Sequence, residues 1–561
     1  MLAAIRGDAS EAALFRRAFT LVLDQRIQSD ADLGPFLASP PRAATDVDRE
    51  ALMRLSHLYD AGAWVIVESA IADLPADLRW LFESGAVSIE QLGTLHAALG
   101  VTTAADLGAA VERHAIRHLP GLSVETEYAT AAALFDIRTS IPRVTLGRAT
   151  TMAEPVLAGL RAQPGVEWAT PAGSLRRGQD TVGDIEIVAA AADPSGAIDE
   201  VIRSPDVART LHRSERRVYV AIDRVQLGVR FPGPAVAGAA LLHLTGSPAH
   251  LAALRAIARA RGGRLTQDGY LPPGDGPVVA ASEEAIYAAI GLPFIPPEVR
   301  QGDGEVEAAA HGTLPALVSH ADIRGDLHMH TTWSDGHDST EQMVAACRGL
   351  GYEYLAITDH SPSSAASRNL SIEDVARQGD EIAGLRERYP DITILHGCEV
   401  DILPDGRLDL PDRVLERLDI VLASLHERAG QSGEQLRRRY DAAMRHPLVT
   451  LITHPTNRLL PHQQGYDIDY DRVFETAVET GTLLEVDGAP SHLDMDAALA
   501  RRAVAAGVMV SIDSDSHRAE YLDRQMQLGL LTARRGWLEP RHVVNTRPLA
   551  EIRALIARKR G

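Results

Sequence analysis

In the second half of the sequence, histidines and acids recur at the ends of apolar runs. In GDLHMHTTWSDG (325–336), His328 and His330 stand two apart in an alternating segment, and Asp335 follows after a turn. As a strand, that segment sends both rings off the same face. The run YLAITDH ends in Asp359 and His360, and ITILHGCEV reaches Glu399. DIVLASLH ends in His426, TLITHP in His454, and VMVSIDSDSH in Asp515 and His517. Of 21 histidines, 14 lie beyond residue 310. A single histidine at a strand end is ordinarily a hydrogen-bonded core residue. Nine imidazoles and carboxylates gathered together would go unpaired or repel one another, and cations resolve that conflict. Nine such ligands with one bridging carboxylate can hold two or three divalent ions and leave positions for water and substrate. The ligand types suit zinc, manganese or iron.

The elements that must carry these residues follow from the same runs. From Asp326 onward, short apolar strands alternate with helical stretches about seven times over about 235 residues, which predicts a parallel α/β barrel or an open α/β sheet. In either, the C-terminal ends of the strands converge on one face. Upstream, LFRRAFTLVLDQ, REALMRLSHLYDAGAWVIVESAIADL and IEQLGTLHAALG have the spacing of helices. From about residue 145, GVEWATPAGSLRRG, DIEIVAAAA, RVYVAID and RVQLGVRFP read as short strands, residues 237–262 return to helix, and LPFIPPEVRQGDGE (292–305) reads as a connector.

The chain has 561 residues, 45% of them hydrophobic, so at about 150 residues per domain it makes three to four domains. Its net charge of −20 excludes a protein that lives by a general basic footprint on nucleic acid, and any such contact is local. No uncharged apolar run is long enough to span a membrane, and Asp8, Glu11 and Arg16 interrupt any signal-peptide core. Two cysteines, Cys347 and Cys398, suit a reducing compartment, so a cytoplasmic protein without a membrane partner is expected.

GDLHMHTTWSDG, ITDHS, HGCEVDI, ASLH, THPTNR and SIDSDSH resemble the PHP (polymerase and histidinol phosphatase) family of metal-dependent phosphoesterases over about residues 324–540. The resemblance implies a distorted (βα)7 barrel with a trinuclear site. It assigns His328, His330, Glu399 and Asp515 to one ion, and Glu399, His426 and His454 to a second. Asp335, His360 and His517 go to a third. It also implies phosphoester hydrolysis, in which the ions activate water and stabilise the attacking and leaving oxygens. Arg458 in HPTNR is a candidate phosphate contact.

GSLRRGQDTVGDIEIV (173–188) resembles the palm of family X DNA polymerases, ALLHLTGSPAH (240–250) their nucleotide-binding turn, and residues 282–309 the thumb end and linker. With the PHP half, this is the order of parts in bacterial PolX. The expected modules are a helical 1–74, a degraded helix-hairpin-helix region 75–144, a palm 145–235, a thumb 236–300, a linker 301–323 and the PHP domain 324–561. Ser174 and Arg177 would meet nucleotide phosphates, and Asp184 and Glu186 would hold magnesium if the palm is active.

Departures from that family sit where polymerisation needs carboxylates. Glu186 stands in place of an aspartate, and the third carboxylate position in RVQLGVR is Gln226, whose neutral amide can neither neutralise a cation nor act as base toward a primer hydroxyl. The paired aromatics of the nucleotide turn are His243 and Leu244, and an expected asparagine is Leu251. The hairpin candidates are ESGAVSIEQ (83–91) and LPGLSVETE (119–127), and the second has Ser123 where a glycine belongs. These features predict a metal-dependent 3'-5' exonuclease that binds DNA 3' ends or gaps weakly and has lost polymerisation. The alternatives are an active gap-filling polymerase, a small-molecule phosphatase acting on a phosphate ester, and a non-enzymatic DNA-binding scaffold.

Overall fold

The computed structural model describes residues 143–561 apart from 224, 275–277, 365, 367, 427–429 and 462; before these it describes 45–60, 87–99, 113–136 and a few isolated positions. The chain divides into two units, Met1–Pro142 and Arg143–Gly561. In the first unit the described helices are α1 (Asp46–Asp60), α2 (Ile89–Leu99) and α3 (Val124–Asp136). Half of LFRRAFTLVLDQ, the later part of REALMRLSHLYDAGAWVIVESAIADL and the start of the hairpin candidate 83–91 lie outside the described residues. In the other candidate, Gly121 takes φ +76, while the Ser123 hydroxyl accepts from the Thr126 amide and caps α3. The serine there supplies a cap that a glycine could not.

The second unit begins with a short strand β1 (Val144–Thr145) and the helix α4 (Leu146–Ala162). There follow β2 (Val166–Pro171), the single turn α5 (Gly173–Arg176), β3 (Thr181–Val182), β4 (Ile185–Ala191), α6 (Ser195–Arg203), β5 (Arg209–Ser214), β6 (Arg217–Ile222) and β7 (Val225–Arg230). The five longer strands form one sheet in the order β2-β4-β7-β6-β5, parallel only at β4/β7. Alternation in the sequence decides its faces. Ile185, Ile187, Val218, Val220, Leu227 and Val229 bury against Leu146, Val156 and Leu160 of α4. The opposite face carries Glu186, the one acid of β4.

Next come α7 (Ala237–Thr245), α8 (Pro248–Ala260), the hairpin β8 (Arg264–Thr266) and β9 (Gly269–Leu271), α9 (Glu283–Ala289) and α10 (Glu305–His311). Ser247 and Ser282 start α8 and α9 as N-caps, accepting from the amides of His250 and Ala285. The stretch 292–305, expected to be a connector, is instead packed. Ile295 and Val299 lie in the core of this module, and the Arg300 side chain is fully buried. The expected linker 301–323 likewise contains α10, whose Glu305, Val306 and Ala309 are buried.

The remainder is a barrel of seven parallel strands in sequential order: β10 (Gly325–Asp326), β11 (Tyr354–Ile357), β12 (Thr393–Asp401), β13 (Ile420–Ser424), β14 (Leu451–Ile452), β15 (Leu483–Asp487) and β16 (Val510–Asp513). Three of the intervening helices start at serine capping boxes, Ser339 with Gln342, Ser371 with Asp374 and Ser432 with Gln435, and two others at Asp469 and Asp496. The first and last strands meet past their ends, where Met329 bridges Ser516, the His330 amide donates to the Ser516 carbonyl at 2.9 Å and the Asp515 amide to the His328 carbonyl at 3.0 Å. Two helices complete the chain, α11 (Leu522–Arg535) and α12 (Leu549–Arg560); Ile552 and Ile556 of the latter plug the N-terminal end of the barrel. No helix among the described residues is long and apolar enough to cross a membrane.

Candidate metal centre

The closing seam of the barrel supplies His328, His330, Asp515 and His517, and the C-terminal ends of β11, β12, β13 and β14 supply His360, Glu399, His426 and His454. Asp335 comes from the loop after β10. That loop is pinned by Asp359, whose carboxylate accepts from the amides of Thr331 and Ser334, both their hydroxyls, and the Gln378 side chain. The two residues His454 and Asp515 take left-handed backbone, φ +25 and +50. Such geometry in non-glycine residues is held only where surrounding contacts over-determine it.

All nine donors converge. His328 and His330 bring their Nε2 atoms to 3.1 Å, and His330 Nε2 lies 3.0 Å from Asp515 Oδ1. Glu399 is the hub. One of its oxygens lies 2.8 Å from His454 Nε2 and 3.5 Å from His426 Nε2; the other lies 2.8 Å from His360 Nδ1 and 3.5 Å from His328 Nε2. Asp335 Oδ1 stands 3.2 Å from His517 Nε2 and 3.5 Å from His360 Nε2. Three groups could each hold an ion: His328, His330 and Asp515; His360, Glu399 and His426; and His330, Asp335, His360 and His517. Compared with the sets implied by the sequence, and among the described residues, His330 also joins the third group and His360 the second, while Glu399 is absent from the first and His454 from the second.

The donor chemistry fits divalent cations. Glu399 Oε2 and His360 Nδ1 are buried and 2.8 Å apart, yet neither makes a hydrogen bond. Lone pairs so placed converge on a common point rather than on each other. The charges point the same way. Burial pushes the Glu399 carboxyl up, but His426, His328 and His360 outweigh it and hold it well below its ordinary range. Burial pulls the His517 ring down, yet Asp335 and Asp515 raise it to about 9. His328 and His426 are raised well above their ordinary value by facing carboxylates, against the same burial. His330 falls to about 4, through burial and the neighbouring rings of His360 and His517.

Two further acids orient the donors, and sequence reading had passed over both. Glu485 accepts from His328 Nδ1 at 2.7 Å and from the His454 amide at 2.7 Å, leaving His328 Nε2 for the cluster. Asp401 Oδ1 lies 3.0 Å from His426 Nδ1. Carboxylates behind ligating imidazoles fix ring plane and tautomer. The signal was present in TLLEVDG, where an acid interrupts a strand that burial requires to be apolar.

Arg458, the candidate phosphate contact, is held by the loop after β15 and by the palm. The residue is 8% exposed, and each guanidinium nitrogen donates once: to the His492 carbonyl at 2.9 Å, to the Leu493 carbonyl, and to Asp180 Oδ2 at 2.8 Å.

In the palm, Ile185 pairs with Leu227 and Glu186 with Gly228; extending that parallel register by one residue sets Asp184 beside Gln226. Glu186 Oε2 lies 3.3 Å from Arg230 Nε on the same face, and Asp184 Oδ1 is buried without a partner. Burial raises both carboxyls, offset at Glu186 by Arg230. Ser174 lies in α5, and Arg177 donates to the Thr245 carbonyl at 2.7 Å while its Nε is buried without a partner. His243 Nε2 lies 3.1 Å from Arg255, and Leu251 is buried.

Comparison with known proteins matches the PHP domain model at residues 326–474 and the DNA polymerase beta thumb model at residues 240–301. Probable phosphatases of Caldanaerobacter subterraneus subsp. tengcongensis and Syntrophotalea carbinolica are 32% and 31% identical over 204 and 206 residues. Those matches cover 34% and 35% of this chain, and 75% and 80% of the phosphatases. The DNA polymerase/3'-5' exonuclease PolX of Bacillus subtilis is 32% identical over 556 residues, covering 97% of this chain and 95% of that protein. Similarity along nearly the whole of both chains, over a polymerase-type palm and thumb joined to a PHP barrel, means that this protein belongs to the PolX family.

Proposed function

We propose that this chain removes nucleotides from DNA 3' ends by phosphoester hydrolysis at the PHP centre, and that its palm no longer extends DNA. The convergence of all nine donors on one face of the barrel carries the reading. Two or three divalent cations bound there, zinc, manganese or iron, would supply Lewis acidity toward the phosphate and an activated water. The chain's own residues do the rest. Glu399 reaches two donor groups at once, Glu485 and Asp401 fix the planes of His328 and His426, and Asp359 holds the loop that presents Asp335.

Loss of polymerisation is supported by the palm. Holding two magnesium ions takes three carboxylates, and here Gln226 flanks Asp184 while Arg230 occupies Glu186 with a cation of its own. The net charge of −20 favours weak, local contact with DNA. A second reading, hydrolysis of a small phosphate ester, is favoured by the probable phosphatases, whose similarity covers only about a third of this chain.

The test uses a gapped duplex with one labelled strand, manganese, and dNTPs present or absent. The strand should shorten in both conditions and lengthen in neither, and Asp184→Ala should leave shortening nearly intact. Extension with dNTPs would overturn the account of the palm. No shortening, but hydrolysis of p-nitrophenyl phosphate, would move the substrate to small esters.

A further inference from the structure

Loop 488–494, after β15, is built into the palm on one side and lies against the metal centre on the other. On the palm side, Leu493 is buried in the core formed with α4 and β4. Pro490 packs on Gly147 of α4 so closely that a Cβ at 147 would stand 2.6 Å from Pro490 Cβ. The carbonyls of His492 and Leu493 are held by Arg458, which in turn is held by Asp180 of the palm turn after α5. The other oxygen of Asp180 accepts from Arg535, which also donates to the Gly178 carbonyl at 2.8 Å. On the metal side, the His492 ring stacks on His454 with centroids 5.6 Å apart and planes 26° apart. Asp494 accepts from the amide and hydroxyl of Thr456, tying the loop to the segment that carries His454.

We propose that Asp180 is a positioning residue for the metal centre: through Arg458 and the 492–493 carbonyls it sets the ring plane of His454 by way of His492. The palm would then serve the barrel mechanically, whatever became of its own chemistry. This inference rests on the reading above for its activity arm and on metal binding alone for its other arm.

The experiment compares wild type, Asp180→Asn, Asp180→Glu and Arg524→Ala. Arg524 also joins barrel and palm, donating to the Gly147 carbonyl at 2.7 Å and to Thr151, but it does not touch loop 488–494. Mn²⁺ binding is followed by electron paramagnetic resonance, and kcat and KM are measured with bis(p-nitrophenyl) phosphate, which is too small to need the palm. Asp180→Asn should weaken one class of Mn²⁺ site about tenfold and lower kcat with KM unchanged, as loss of an outer-shell partner does. Asp180→Glu should restore part of both, and Arg524→Ala should lower the melting temperature without either change. Wild-type Mn²⁺ affinity in Asp180→Asn, or parallel losses in Asp180→Asn and Arg524→Ala, would overturn the proposal. Wild type that binds Mn²⁺ but hydrolyses nothing would overturn the proposed function instead, leaving the Mn²⁺ affinities to decide this one.

Discussion

At the scale of single residues, the donors were legible because chemistry restricts their types. A histidine or acid ending an apolar run is conspicuous, and nine of them in the order of the strands admit few other uses. Their supports were less so. Glu485 and Asp401 read as ordinary strand acids until the fold shows which ring nitrogen each one faces. Glu485→Gln should keep the fold and weaken Mn²⁺ binding by about 10–100-fold, because an amide cannot hold His328 Nδ1–H as strongly as a carboxylate. Calorimetric titration checks this, and unchanged affinity would remove Glu485 from the account. The site also sets a pH dependence. His517 is raised to about 9, and His328 and His426 are raised as well, so below those values each ring carries a proton that a cation must displace. Mn²⁺ affinity should therefore climb with pH toward about 9, with protons released on loading. Titrations in two buffers of different ionisation enthalpy count those protons, and none released would contradict the charge assignment.

At the scale of elements, strands were readable from alternation and helices from the spacing of their apolar residues, but the packing of the connectors was not. Proline and glycine in 292–305 gave the signature of a connector, and within it Arg300 lies fully buried, 5.2 Å from the Tyr287 ring and 5.1 Å from that of Phe294. A buried arginine has no local signature, since its partners come from elsewhere in the chain. Here they are Glu283, and through it Arg176 of α5, which binds that carboxylate at 2.9 and 2.7 Å. Glu283→Gln would leave two guanidinium groups without a counter-charge, at a cost of about 3–5 kcal/mol. Hydrogen exchange across α8 and α9 should report that loss. Burial pushes the Glu283 carboxyl up, but Arg300 and Arg176 hold it below its ordinary value of 4.5. A depressed folded value means the stabilisation is complete above pH 4.5 and lost as pH falls below it. The stability gap between wild type and Glu283→Gln should shrink on acidification, and a gap that widens would reverse the sign.

At the scale of the whole molecule, the order of parts was legible and the join between palm and barrel was not. Arg458 illustrates why. Its neighbours in HPTNR suggested a phosphate contact, but its ion-pair partner, Asp180, is 278 residues away, a distance that no local pattern crosses. The sheet of the palm is held by the apolar faces of β4, β6 and β7, which are buried whatever side chain stands at position 226 of β7. The most direct measurement is release of a labelled 3'-terminal nucleotide in Mn²⁺ by wild type and His330→Ala, with bound metal counted on the same samples. The account predicts that the variant binds less metal and releases no nucleotide. Equal metal content and equal release in the variant would contradict it.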